Sequence, residues 1–392
     1  MRILYLCADP GVPILGRKGC STHVREICRA LDRAGHAVRI VCSNRGEDLA
    51  NTENLDIVEV PALSSRKIGF DFRLLFYNPR FGREIARQAA LFQPDAIYER
   101  FSLYSLAGAN LARRIGAPRL LEVNAFLSVE QNEKLHFPWL ANWIDRRIVR
   151  QAAHVVVVSE PLREEVARLG ISRSNIHKMP MAANIQHFTP EKSGDCVRRA
   201  HGLDGKYVIG YVGTLTGWHG INLLYDVAER MRREYDNFAF FLVGGDPEKV
   251  EMHRAKARRL GLGAHFVFAG SVPYEDVPEH IRAMDVTLVP DTTYWSSPTK
   301  LFEYQASGTP TVAPRYAAIV EAMTDGKEGL FFEPRNVEQF AARLLELARD
   351  PARRIKMGLN ARRRVLSSHS IDDQVARIIE IFEIIRRRRV DD

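Results

Sequence analysis

Residues Ser296–Gly308 read SSPTKLFEYQASG, and they hold the side chains best spaced for chemistry. Pro298 ends a loop, a helix is expected over residues 299–306, and Gly308 stops it. Lys300 lies in the first helical turn, and Glu303, three residues on, shares its face. A helix N-terminus at the carboxyl end of a parallel sheet presents free N–H groups and a partial positive charge. A diphosphate would settle there with Lys300 as a point charge on it. Glu303, one turn deeper, would accept hydrogen bonds from both hydroxyls of a ribose, as a carboxylate can. The same spacing equally suits an exposed Lys–Glu pair contributing a few tenths of a kcal/mol, and spacing alone leaves both readings open.

The elements that must hold this segment follow from hydrophobic pattern. Residues 2–8 (RILYLCA) form a continuous apolar run of the buried parallel-strand type. A glycine-bearing loop over 11–19 comes next, then a helix with Ser21 as N-cap and Val24, Ile27, Cys28 and Leu31 on one face. Further strands are expected over 36–42, 96–98, 119–123 and 154–159. The β-loop-α opening recurs at residue 207 (YVIGYVG), followed by strands over 238–245, 265–270, 286–290 and 311–314 and helices over 221–234 and 247–260. Strands alternating with helices imply parallel sheets with right-handed crossovers. The fold class is α/β, with two doubly wound Rossmann-like domains facing a cleft. Residues 1–185 form the first domain and 186–371 the second, with the linker in the polar stretch 179–195. The last helix, 372–392, has a broad apolar face that needs a partner and is expected to pack back on the first domain.

The chain of 392 residues is too long for one ordinary core and suits two domains. Its net charge of +8 favours anionic partners such as nucleotides and phospholipid surfaces. No zinc-finger, RNA-recognition or helix-turn-helix signature points to nucleic acid. No apolar run reaches the ~18 residues of a membrane span. Five cysteines (Cys7, Cys20, Cys28, Cys42 and Cys196) without a C-x-x-C pair suggest reduced thiols in a cytoplasmic protein. The absence of a G-x-G-x-x-G after either opening strand argues against a dinucleotide-dependent dehydrogenase.

Strung together, several segments resemble the retaining glycosyltransferases of family 4, which have the GT-B fold. They are Gly16 and Gly19 as G-x-x-G with the following STHVREI, LEVN (121–124), YVGTL (211–215), WHG (218–220), FLVGGD (241–246), SPTKLFEY (297–304) and GKEGLFFEP (326–334). The resemblance covers nearly the whole chain and implies transfer of a sugar from a nucleotide donor to a hydroxyl acceptor. Glu303 matches the second glutamate of the family's E-x7-E signature, which binds the donor ribose. Trp295 stands where the first glutamate would be, so Tyr294, Trp295, Ser296 and Ser297 line that position. Thr214 and His219 occupy places where the family commonly has arginine and lysine. A sub-branch with S-P-x-K-L-F-E-Y moves the cation to the motif's lysine, here Lys300. The diphosphate is therefore assigned to Lys300 with the backbone of Gly213 and of Ser297, Pro298, Thr299 and Leu301. The Gly16–Gly19 loop closes it from the other domain, with Lys18 as an assisting cation. Gly244, Gly245 and Ser271–Pro273, with Val272 backbone groups, are expected beside the base. Asn124 stands where much of the family has a histidine facing the sugar, and Glu122 and His23 are nearby candidates.

The resemblance implies front-face departure of the nucleoside diphosphate without a covalent intermediate. The donor would be a UDP- or GDP-sugar. No Asp-x-Asp triplet occurs, and helix N-termini with Lys300 replace a bridging metal, so no metal and no further cofactor is expected. A nucleotide-sugar 2-epimerase shares this architecture, and an inactive nucleotide-sugar-binding subunit is the alternative of another class. On the acceptor side, residues 66–100 interleave seven basic residues with Phe70, Phe72, Phe76, Tyr77 and Phe81. Residues 136–150 add Trp139, Trp143 and three arginines. These aromatics either pack on their own domain or lie on an anionic membrane beside a lipid-linked or glycan acceptor.

Overall fold

A computed structural model of the chain describes residues 1–47, 55–63 and 69–391, with side chains through residue 387. Arg66, Lys67 and the side chains of Arg388 and Arg389 lie outside the described residues. The chain divides into two units, Met1–Pro180 with Asp372–Asp392, and Met181–Ile371.

The first unit holds β1 (Arg2–Cys7), β2 (Ala37–Cys42), β3 (Asp56–Glu59), β4 (Ala96–Arg100), β5 (Arg119–Val123), β6 (His154–Val157) and β7 (Ile176–Lys178). They form one parallel sheet in the order β3-β2-β1-β4-β5-β6-β7. Ile3 to Cys7 are buried on both faces, which is why β1 reads as a continuous apolar run rather than an alternating one. Strand order reverses between β1 and β4, the crevice where open α/β sheets receive ligands. The helix after β1 starts at Gly19, not at Ser21. Ser21 is buried inside it and Lys18 is the N-cap, so the expected serine cap is corrected.

The second unit holds β8 (Tyr207–Val212), β9 (Phe238–Val243), β10 (Phe266–Gly270), β11 (Val286–Leu288), β12 (Thr311–Pro314) and β13 (Gly329–Phe332). Their parallel order is β10-β9-β8-β11-β12-β13, with the reversal between β8 and β11. Every residue of β9 is buried. Residues 181–195, expected in the linker, belong to this unit. Arg362 explains why, since its guanidinium donates to the carbonyls of Ile185 and Phe188 and ties that segment to the Pro351–Ser368 helix. The domain boundary therefore falls before Met181 rather than after residue 185.

The Thr299–Ala306 helix joins β11 to β12 and has the bounds the sequence predicts. Gly308, at φ +72°, ends it. Gly308 N donates to Gln305 O and Thr309 N to Tyr304 O, the paired bonds of a left-handed helix stop. From Leu301 to Ala306 the helix is buried, so its position is set by packing rather than by helix propensity.

The closing helix, Ile371–Asp391, belongs with the first unit from Asp372 onward. Ile378, Ile381 and Phe382 are fully buried, and Phe382 meets Tyr98 of β4 edge-on at 6.5 Å. Among the described residues, no helix is long and apolar enough to cross a membrane.

Candidate active site

At the carboxyl edge of β8 the second unit brings together much of what the sequence singles out. Lys300 turns its Nζ onto Tyr211: the ammonium donates to the phenolic oxygen at 2.8 Å and stands 4.0 Å from the ring centroid. The Tyr211 hydroxyl in turn donates to the carbonyl of Thr214. Next along the helix, the Tyr304 hydroxyl accepts the Val212 N–H at 2.7 Å, fixing the helix to the end of the strand. Burial pushes the Lys300 pKa down to about 7, partly offset by the Glu303 carboxylate. Glu303 is itself buried, so the exposed Lys–Glu pair is ruled out.

Gly213, at φ +145°, lies directly beneath this cation, and a Cβ there would stand 2.7 Å from the Lys300 Nζ. Its N–H is donated to Val243 O, so the expectation that the Gly213 backbone donates to a diphosphate is corrected. The residue's contribution is space. Gly244, at φ +115°, is equally constrained: its N–H goes to Gly270 O, and a Cβ would meet Gly213 O at 2.3 Å. The Ser297 hydroxyl accepts the Met181 N–H. Pro298 is the N-cap, in extended conformation, so Thr299, Lys300 and Leu301 form the first helical turn. Leu301 N donates to Pro298 O. The Thr214 hydroxyl lies 3.5 Å from that of Thr216. His219 lies tilted against the Trp218 ring, and burial followed by the neighbouring Lys300 charge lowers its pKa far enough to keep the ring neutral. Of Lys300 and His219, Lys300 is thus the one that can carry positive charge. Tyr294 and Trp295 meet edge-on at 4.6 Å. Val272 lies in the turn between β10 and the Tyr274–Asp276 segment, packed with Val212 against the core that includes Val208 and Val243.

The first unit assembles a second, buried polar cluster at the ends of β4 and β5. His23 Nε2 lies 2.7 Å from Glu122 Oε1, and the Asn124 amide donates to the same oxygen at 2.9 Å. Arg100 stands 3.5 Å from that oxygen. Burial raises the Glu122 pKa, but His23, Arg100 and the Asn124 bond outweigh it and hold the carboxyl at about 2. Gly16, Gly19 and Lys18 lie in the loop that leads into the Gly19–Arg33 helix. The buried Arg25 guanidinium donates to the carbonyls of Ile14 and Gly16 and fixes its course. Lys18 donates to Gly11 O, so its ammonium is engaged within the loop.

Tyr211, Tyr304, Arg25 and Arg100 are the residues that sequence reasoning leaves without a role. Each anchors a residue or strand end at these two sites, and none carries a local signal in the sequence.

Residues 196–364 match the family model described as Glycosyl transferases group 1, and residues 18–182 match that of the Glycosyl transferase 4-like domain. The chain is 27% identical to a GDP-mannose-dependent alpha-(1-6)-phosphatidylinositol monomannoside mannosyltransferase of Mycolicibacterium smegmatis, over 71% of this chain and 74% of that one. It is 24% identical to the mannosylfructose-phosphate synthase of Agrobacterium fabrum, over 96% and 89%. In fold it is similar to sucrose-phosphate synthase from Thermosynechococcus elongatus, with a TM-score of 0.78 at 18% identity over 99% of this chain and 100% of that one. It is likewise similar to Anabaena HepE in complex with UDP-glucose, with a TM-score of 0.77 at 17% identity over 97% and 99%. With its two domains matching these two family models in order, and its two parallel sheets matching their solved structures, the chain belongs to the glycosyltransferases of the GT-B fold, of the family 4 type.

Proposed function

We propose that this protein is a retaining, metal-independent glycosyltransferase that transfers a hexosyl group from a UDP- or GDP-sugar to a hydroxyl of a glycan, lipid-linked glycan or small molecule. The observation that carries the proposal is Lys300, seated in the first turn of a buried helix with Glu303 one turn deeper. Lys300 and the helix N-terminus supply the positive charge that a departing nucleoside diphosphate needs, in place of a metal ion. Glu303 accepts the ribose hydroxyls. The bond from the anomeric carbon to the diphosphate oxygen breaks, and the acceptor oxygen bonds that carbon from the same face. The released phosphate oxygen takes the acceptor's proton. The protein's contribution is positioning and charge stabilisation rather than a covalent carboxylate. The donor classes follow similar proteins, one GDP-mannose-dependent and another solved in complex with UDP-glucose. A cytoplasmic location is supported by five unpaired thiols.

The test is transfer from a panel of UDP- and GDP-sugars, with product stereochemistry read by NMR and a parallel reaction in chelator. Lys300→Ala should raise donor KM and lower kcat together, because charge develops on the diphosphate. Glu303→Ala should abolish or severely weaken donor use. Wild-type transfer by Lys300→Ala sinks the diphosphate assignment. Release of an epimerised free nucleotide sugar shows the 2-epimerase instead, and tight donor binding without turnover shows the inactive subunit.

A further inference from the structure

The aromatic residues of the first unit differ in burial. Tyr77 and Phe81 are buried and belong to its core. Phe72, Phe76, Trp139 and Trp143 do not: Trp139 is 71% exposed, Phe76 63% and Trp143 58%. Leaving four large aromatics in water is costly unless something covers them.

They form one connected surface. Phe72 and Phe76, one turn apart on the Phe70–Phe92 helix, stack at 6.3 Å, and Phe72 meets Phe137 edge-on at 5.6 Å. Phe137 caps the Pro138–Arg150 helix, whose outer face carries Trp139 and Trp143. The Asp71 carboxylate accepts the His136 N–H at 2.8 Å and the Tyr104 hydroxyl, which locks the two segments together. Along the Pro138–Arg150 helix the exposed face passes from Trp139 and Trp143 to Arg146, Arg147 and Arg150. The Arg147 guanidinium lies over the Trp143 ring. The helix's one acid, Asp145, is turned inward and buried, accepting the Ser128 N–H. Glu130 and Glu133, exposed just before the helix, set the limit of the patch.

Aromatic rings beside arginines, with the acid withdrawn, are complementary to one kind of surface: rings for the headgroup–acyl boundary and guanidinium groups for lipid phosphates. We infer that the face formed by Phe72, Phe76, Trp139, Trp143, Arg146 and Arg147 is a docking surface for an anionic phospholipid bilayer. The inference needs neither donor nor turnover, so it stands or falls independently of the proposed transfer reaction.

The full chain should co-sediment with vesicles of phosphatidylcholine mixed with phosphatidylglycerol, weakly with phosphatidylcholine alone, and less as salt rises. In the wild-type chain, tryptophan emission should shift to the blue and be quenched by brominated lipid. Trp139→Ala with Trp143→Ala should lower partitioning at least about tenfold and remove the quenching. Arg146→Ala with Arg147→Ala should lower partitioning on anionic vesicles roughly thirtyfold and leave the weak binding to neutral ones. All four side chains are exposed, so thermal melts should match wild type. Equal partitioning on neutral and anionic vesicles would overturn the inference, as would variants that bind like wild type. A wild-type chain that ignores vesicles yet dimerises through Trp139 and Trp143 in sedimentation velocity would show a second copy as the occupant instead.

Discussion

Lys300 is held between two demands. Its ordinary pKa is near 10.4, but in the folded chain burial pushes it down to about 7. Below pH 7 it is a cation in both the folded and unfolded protein. Between pH 7 and its ordinary value the unfolded chain binds the proton and the folded one does not, so this group's contribution to stability rises with pH there. Ligand binding has the opposite dependence. A diphosphate stabilises the ammonium, so the complex takes up a proton and affinity should fall by up to about tenfold per unit as pH rises above 7. Calorimetry of nucleoside diphosphate binding across that range, in two buffers of different ionisation enthalpy, measures both the slope and the proton. Lys300→Met should bind weakly and lose the slope; a slope that survives the substitution places the titrating group elsewhere. Tyr211→Phe should have a smaller effect, about fivefold in affinity, because the ring beneath the ammonium remains while one hydrogen bond is lost. Lys300 and Glu303 are legible in the sequence because helical spacing and a proline–glycine frame mark them. Tyr211 is not, since a tyrosine in a buried strand looks the same whether its hydroxyl is idle or holds a lysine.

The loops that leave the strand ends are where elements decide chemistry. Gly213 and Gly244 stack on one another at backbone distance, with positive φ at both. Gly244→Ala would set a Cβ against the Gly213 carbonyl and strain its own backbone. The expected result is a loss of about 2–4 kcal/mol in urea unfolding of the second unit, with weakened donor binding. An unchanged midpoint would show that this loop has slack. In the first unit the equivalent constraint is ionic. Glu122→Ala would leave Arg100 buried without its carboxylate and His23 without a partner, and should cost about 3–5 kcal/mol. Glu122→Gln should cost less, because an amide oxygen can still accept from His23. Finding the two substitutions equal in urea unfolding would mean that the lost charge, not the hydrogen bond to His23, sets the cost. The strands around these loops are readable from their apolar runs, and the helix over 299–306 from its flanking residues. The Ser21 cap fails because the helix begins at Gly19, with Lys18 as its cap, and draws the serine into the interior. A capping residue is recognisable only if the helix start is already known.

At the scale of the molecule, sequence order and structural membership part company at the C-terminus. Met181–Ile371 forms one unit, yet the residues after it return to the unit that begins at Met1. The periodicity of the last helix shows an apolar face but not the surface beneath it. The boundary before Met181 is equally hidden, because it is set by Arg362 reaching carbonyls of Ile185 and Phe188 far back in the sequence. This arrangement has a thermodynamic consequence. Val375, Ile378, Ile381, Phe382 and Ile385 are all buried. At about 1.5–3 kcal/mol for each large apolar side chain, their removal forfeits on the order of 10 kcal/mol, comparable with the whole stability of a domain. A chain ending at Ile371 should therefore lose the first unit while keeping the second. Calorimetry should show one remaining transition, limited proteolysis should degrade residues 1–180, and a nucleoside diphosphate should still raise the surviving transition by ligand linkage. If the truncated chain instead retains both transitions at their original temperatures, the closing helix contributes little to the first core, and its buried isoleucines are replaceable by water.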